Sequence, residues 1–333
     1  MKKPTLQDVA DRASVSRALV SLVMRDAPHV SDERRQRVLH AADDLGYRPN
    51  VLARNLATGR SRTIGVVVND LQNPFFAEAL EGVEQAAADA GYQVLFANGG
   101  RRADREREAA ETFLELRNDG IILLGPRMNA KAIMATCEGA PTVLVGRPSR
   151  SKLVDSINNN ERMGSGLAVR HLHELGHTRI THIDGGAGAG AQPRRKGYEA
   201  AMTSLDLSEH IRVIPGDFTE AAGAKAAEQI LTEARSTTAI FAANDLIAAG
   251  ARDSLESAGV AVPAEVSIIG YDNSAFTAMR HVSMSTIGQP MFEMGSRALQ
   301  LLLERLEDGR SEAVHEIINP VLVARETTSK APT

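Results

Sequence analysis

From Thr63 onward, short apolar runs rich in β-branched residues alternate with longer stretches whose apolar residues recur at helical spacing, and that alternation leaves few folds open. The apolar runs are residues 64–68, 94–97, 121–124, 143–145, 180–183, 211–214, 239–242 and 267–269. The helical stretches between them are residues 75–90, 104–117, 161–175, 194–205, 220–234 and 245–258. Strand, helix, strand in this order predicts βαβ units and parallel sheets. About 270 residues of it, with a break near residues 158–161, predict two similar lobes and a ligand cleft between them.

The first 62 residues have a different character. Residues 5–46 predict three short helices and no strand. Thr5 and Asp8 form a capping-box pattern ahead of Leu6, Val9, Ala10 and Ala13. Ser14-Val15-Ser16 breaks the pattern, Ser16 offers an N-cap to a helix carrying Leu19, Val20 and Val23, and Ser31 offers one to a third helix ended by Gly46. Asn50 then caps a predicted helix over residues 51–57, too short to hold alone in water, followed by a junction at residues 59–62. Charge divides at the same place. Residues 1–62 hold twelve Lys/Arg against seven Asp/Glu, whereas the chain as a whole has 38 against 42. A basic head on an acidic body points to a polyanionic partner for the head.

Helix, three-residue turn and helix over residues 6–24 is a helix-turn-helix pattern, whose second helix enters the major groove with its first residues facing base edges. Those are Arg17, Ala18, Ser21 and Leu22. An arginine reads guanine bidentately and an alanine offers a methyl to thymine. Thr5, Ser16, Ser21, His29, Ser31 and Tyr47 are candidates for phosphate contacts. The same segment would also serve as a solvated three-helix domain without nucleic acid.

Thr5-Leu6-Gln7-Asp8-Val9-Ala10, the Val15-Ser16 turn, Val30-Ser31, Leu45-Gly46-Tyr47-Arg48-Pro49-Asn50 and Ala53-Arg54-Asn55-Leu56 resemble the head and hinge of the lactose-repressor (LacI/GalR) family, and the likeness runs over nearly the whole chain. The resemblance implies a homodimer on double-stranded, pseudo-palindromic operator DNA. Paired hinge helices carrying Asn50, Ala53, Arg54 and Leu56 would lie in the minor groove, the leucine wedged into a base step. It also implies a domain plan: a helix-turn-helix head at 1–48, a hinge at 49–62 and a core at 63–333. The core would resemble the periplasmic sugar-binding fold, with lobe 1 at about 63–159 and 290–320 and lobe 2 at about 160–289 and 321–333. Where many members carry a guanine-reading arginine, this chain has Leu22, so the resemblance implies DNA binding but not a particular half-site.

In the core, the residues that match the family's effector positions are Asn73, Phe76, Arg147, Arg194, Phe218, Asn244, Asp272 and Gln289. Their chemistry suits a polyhydroxylated ligand: a carboxylate accepts from hydroxyls, a guanidinium donates a planar fork, amides do both, and an aromatic face covers a ring. Each has a plainer reading, since Asn244 and Asp272 also suit helix or turn caps and the phenylalanines suit a core. Many relatives have Asp-Arg where this chain has Gly146-Arg147, so one acceptor is absent. The resemblance thus implies a sugar, polyol or nucleoside effector, with no cofactor and no metal.

Other signals are weighed against this. Gly186-Ala187-Gly188-Ala189-Gly190-Ala191 matches a dinucleotide fingerprint, but it lies deep in the core and basic residues open the next helix, so a loop over the cleft is expected instead. His171, His173 and His177 lack a third ligand at metal spacing and are expected at the surface. Cys137 stands alone, which fits a reducing compartment and a buried helical position. The polar N-terminus predicts no signal peptide, and no apolar run is long enough to span a membrane; the expected location is the cytoplasm. A solute-binding transport component is disfavoured by the head, and an enzyme by the missing catalytic constellations. The C-terminal residues 324–333 hold no leucine heptads, so a dimer rather than a tetramer is expected.

Overall fold

The computed structural model describes residues 4–24, 28, 30–47, 60–233 and 237–332. The predicted hinge helix, with Asn50, Ala53, Arg54 and Leu56, and also His29, lie outside them. The chain divides into two compact units, Met1–Ser61 and Arg62–Thr333.

The first unit holds α1 (Leu6–Ala13), α2 (Arg17–Met24) and α3 (Asp32–Asp44). Thr5 and Asp8 close the predicted capping box, each bonding the other's backbone N–H. Ser14, in the left-handed region at φ 53°, turns the chain, and the Ser16 hydroxyl accepts from the Leu19 amide to start α2. Gly46, at φ +61°, ends α3. Val9, Ala10, Ala13, Val20, Val23, Val38, Ala41 and Ala42 form the small core that these helices share.

The second unit contains two six-stranded sheets. Sheet 1 is built from β1 (Thr63–Val68), β2 (Gln93–Asn98), β3 (Gly120–Leu124), β4 (Thr142–Val145), β5 (Asp155–Asn159) and β11 (His315–Ile318), in the order β11-β5-β4-β3-β1-β2 and parallel throughout. Sheet 2 contains β6 (Ile180–Ile183), β7 (Arg212–Ile214), β8 (Ala239–Ala242), β9 (Ser267–Asp272), β10 (Thr286–Gly288) and β12 (Val321–Val323), ordered β12-β10-β9-β8-β6-β7. Only β12 runs antiparallel, against β10. The chain therefore crosses between sheets three times: after β5, after β10 and after β11. Helices cover both faces, so β3, β4, β6 and β8 are buried along their whole length, as parallel strands must be.

Lobe 1 packs α4 (Pro74–Asp89), α5 (Ala103–Glu115), α6 (Ala130–Thr136) and α11 (Met291–Leu306) on its sheet. Lobe 2 packs α7 (Glu161–Glu174), α8 (Ala191–Ser204), α9 (Glu220–Thr232) and α10 (Asp245–Ser257) on the other. Each lobe has one helix pair held close by reciprocal glycines. A Cβ at Gly82 on α4 would sit 2.0 Å from the Phe292 carbonyl oxygen, and one at Gly295 on α11 would sit 1.8 Å from that of Ala79. Gly223 on α9 and Gly250 on α10 repeat the arrangement at 2.1 and 2.0 Å. Gly82→Ala gains about 1 kcal/mol of helix propensity but forces two backbones apart, which costs about 1–3 kcal/mol or more. A lower urea midpoint is expected; a raised one would show that the helices can part freely.

Candidate functional site

On the head, the exposed side of α2 carries Arg17, Ala18 and Leu22, with Ser21 half-buried beside them, while Val20 and Val23 face the core. One helix thus serves both jobs, packing by one stripe and presenting another. Thr5 and Ser16 are exposed, their hydroxyls already engaged as caps. Ser31 stands at the N-cap position of α3, but its hydroxyl makes no cap bond, unlike the sequence expectation. Tyr47 is half-buried against the head core.

In the core, the C-terminal ends of strands from the two sheets face one cleft. Asn73, Phe76, Arg194, Phe218, Asp272 and Gln289 line it. Asn73 follows β1 and caps α4, its side chain accepting from the Phe75 amide at 3.0 Å; Pro74 occupies the first turn, where no amide partner is lost. The Phe75 and Phe76 rings then meet edge to face with centroids 5.0 Å apart.

Arg194 anchors the lobe 2 wall. Its Nε and Nη2 donate to the two oxygens of Glu161 at 2.7 and 3.2 Å, Nη1 donates to the Ala243 carbonyl, and the guanidinium lies 3.8 Å from the Tyr271 ring centre. Burial works against its charge, but Glu161 above all, then Tyr271 and Asp272, hold it firmly protonated. Asp272, at the end of β9 with φ 119°, accepts from Gln289 Nε2 at 2.6 Å and stands 3.6 Å from Arg194 Nη1. Burial raises its pKa, Arg194 opposes that, and the neighbouring Asp245 and Glu161 charges raise it further.

Two expected residues do not line the cleft. Arg147 turns its Nη1 to the Pro126 carbonyl at 3.0 Å. Asn244 is spent as the N-cap of α10, accepting from the Ile247 amide at 3.0 Å, and its Nδ2 donates to the Phe218 carbonyl at 3.3 Å. The cap reading holds for Asn244, which thereby fixes the backbone of Phe218.

Several lining residues lie outside the expected effector positions: Asn69, Asp70, Phe75, Arg101, Arg127, Glu161 and Asp217. Arg101, at φ 62° after Gly100, reaches from lobe 1 to lobe 2, where its Nη2 donates to the Asp217 carbonyl and sits 3.2 Å from the Asp217 carboxylate. Burial raises the pKa of Asp217, but the Thr219 hydroxyl and Arg101 outweigh it and leave it lowered. Position alone could have found Arg127, which follows a predicted strand as Arg147 does.

The glycine loop also has a structural account. Cβ atoms at Gly185 and Gly188 would meet the Phe218 ring at 2.2 and 2.6 Å, so the glycines make room for that ring. The histidine expectation needs correcting. His177 is fully buried, bonded to Thr238, Ser267 and the Ser329 carbonyl, because it pins the C-terminal segment to lobe 2. Among the described residues no group of three side chains is placed to hold a metal.

A helix-turn-helix unit joined in one chain to a two-lobed α/β core defines a DNA-binding regulatory protein. Residues 5–50 match the description "Bacterial regulatory proteins, lacI family", and residues 169–328 match "Periplasmic binding protein-like domain". The chain is 32% identical to the HTH-type transcriptional repressor PurR of Photobacterium profundum over 97% of its own length and 98% of the relative's. To the HTH-type transcriptional repressor CytR of Escherichia coli it is 33% identical over 98% and 97%. Among solved structures it resembles the lac repressor dimer bound to operator and the anti-inducer ONPF, with TM-score 0.89, 28% identity and coverage of 98% and 100%. It also resembles the CelR–cellobiose complex, with TM-score 0.72, 30% identity and coverage of 97% and 99%. The chain belongs to the LacI family and is a DNA-binding transcriptional repressor of that family.

Proposed function

We propose that the protein represses transcription as a homodimer on a pseudo-palindromic operator, in the cytoplasm, under the control of a small sugar-like effector held in the core cleft. The observation that carries the effector reading is the meeting of Asp272, Gln289, Arg194 and Asn73 with the Phe76 and Phe218 rings around one cleft. Hydroxyl acceptors, amides and apolar faces together suit a polyhydroxylated ring. The cellobiose complex and the Enterococcus faecium regulator with bound ribose (TM-score 0.73, 26% identity, coverage of 80% and 99%) lend support from related proteins. Support for a dimer comes from Leu95 and Phe96 on the edge strand β2, 41% and 50% exposed, an apolar pair that a second subunit would cover. Analytical ultracentrifugation at micromolar concentration should give a dimer, and a tetramer would contradict this reading.

Effector and operator then act on each other reciprocally, through the equilibrium of the core and of the hinge segment that joins it to the head. A thermal-shift screen of sugars, polyols and nucleosides tests the cleft, because a saturating ligand raises stability by RT ln(1 + [L]/Kd). The head is tested by Arg17→Ala. At the exposed start of α2, this change should weaken specific operator binding by about 1–3 kcal/mol and relax preference at one base pair per half-site. Equal losses on specific and random DNA would make Arg17 a phosphate contact instead.

A further inference from the structure

Three guanidinium groups line the cleft, and two of them are spent within the protein. Arg194 is held bidentately by Glu161, and Arg101 by Asp217. Arg127 is different. Among the described residues its guanidinium has no hydrogen-bond or ion-pair partner, and its Nε is buried without one. A buried donor left unmade is costly, and at a cleft wall it marks where a ligand atom belongs.

The position of Arg127 is built rather than incidental. It follows β3 in a short loop whose backbone is held from two sides. Glu106, fully buried on α5, accepts from the Arg127 amide with both oxygens, at 3.0 and 2.8 Å, and from the Met128 amide at 2.9 Å. Arg147 holds the same loop through the Pro126 carbonyl. The Glu106 carboxylate is thus occupied by backbone amides and forms no ion pair with the Arg127 guanidinium. On the same lobe, Asn69 lines the cleft with its Oδ1 buried and unpartnered, an acceptor awaiting a donor.

We propose that the effector is a sugar acid, a hydroxylated monocarboxylate whose carboxylate is taken by Arg127 while its hydroxyls meet Asp272, Gln289 and Asn69. The proposal rests on the reading of this cleft as the effector site. With Arg194 engaged by Glu161 and Asp272, and Arg101 by Asp217, the described lining retains the Arg127 cation and Asp70. One planar fork matches one carboxylate bidentately, whereas a phosphate dianion would bring a second negative charge with a single cation to balance it.

Calorimetry on the full-length protein should compare glucuronate, galacturonate and gluconate with glucose, galactose, glucose 6-phosphate and cytidine, for the wild type, Arg127→Met and Asp272→Ala. The expected result is an acid that binds at least tenfold more tightly than its neutral parent. Arg127→Met should lose ten- to a hundred-fold for the acid and nothing for the parent, with partial rescue by Arg127→Lys. A neutral sugar, phosphate or nucleoside that binds as tightly as any acid would overturn the proposal, as would an acid bound equally by Arg127→Met. If such a ligand is lost on Asp272→Ala, the cleft remains the effector site and only the carboxylate assignment falls. Failure of every probe to bind would count against both.

Discussion

Asp155→Ala should destabilise the core by about 3–5 kcal/mol, the cost of removing one partner from a buried ion pair and stranding the others. Asp155 is fully buried at the start of β5 and holds two arginines. Arg305 donates to it at 2.7 and 2.8 Å, Arg310 at 2.8 and 3.1 Å, and the Val314 amide at 2.7 Å. These bonds tie α11 and the chain entering β11 to β5, the strand beside β11 at one side of the lobe 1 sheet, late sequence to early. Burial would raise the carboxyl's pKa, but the two arginines and the amide more than offset it and hold it at about 2. A depressed folded-state pKa contributes stability above the unfolded value of about 3.9, and that stability is lost as pH falls from about 4 toward 2. The variant should therefore have a lower urea midpoint at neutral pH and a flatter acid limb. Arg310→Met, which leaves the Arg305 pair in place, should cost less. An unfolding free energy within about 1 kcal/mol of wild type for Asp155→Ala would refute the assignment.

Asp272→Ala should lower effector affinity about five- to a hundred-fold, the equivalent of about 1–3 kcal/mol for removing one partner of buried hydrogen bonds. Arg194 keeps its bidentate bond to Glu161 in the variant, so the wall should stand. Operator affinity without effector should be unchanged, giving a repressor that binds DNA and no longer responds. Effector titration by calorimetry beside a gel-shift separates the outcomes. Unchanged effector affinity removes Asp272 from the site, and DNA binding lost without ligand indicates misfolding.

The parallel strands β1, β3, β4, β6, β8 and β9 are legible because they are buried along nearly their whole length, which leaves a continuous apolar signature. The strand β5 was not. Its sequence, Asp-Ser-Ile-Asn-Asn, is polar yet wholly buried, with side chains that pair with groups remote in sequence: Asp155 with Arg305 and Arg310, and the Asn159 Nδ2 with the Tyr271 hydroxyl. Strands β11 and β12 are short edge pieces with exposed residues and carry little pattern. The helix α11, by contrast, has an apolar stripe at Met291, Met294, Ala298, Leu299 and Leu302 that periodicity could have found. At the cleft, the family positions Arg194, Asp272 and Gln289 line the cavity, whereas the Arg147 and Asn244 side chains bond neighbouring backbone. Arg127 follows a legible strand and was within reach of position alone, whereas Glu161 depends on the placement of α7, which a strand-end motif does not encode.

The most direct test of the account is fluorescence anisotropy on the DNA upstream of the protein's own gene, measured against a shuffled duplex at one salt concentration, with and without a ligand identified by thermal shift. The account predicts at least about a thousandfold preference for the upstream sequence, and a ligand-dependent change in that affinity of about 5–150-fold. Equal affinity for both duplexes, or operator affinity indifferent to a ligand that saturates the cleft, would contradict it.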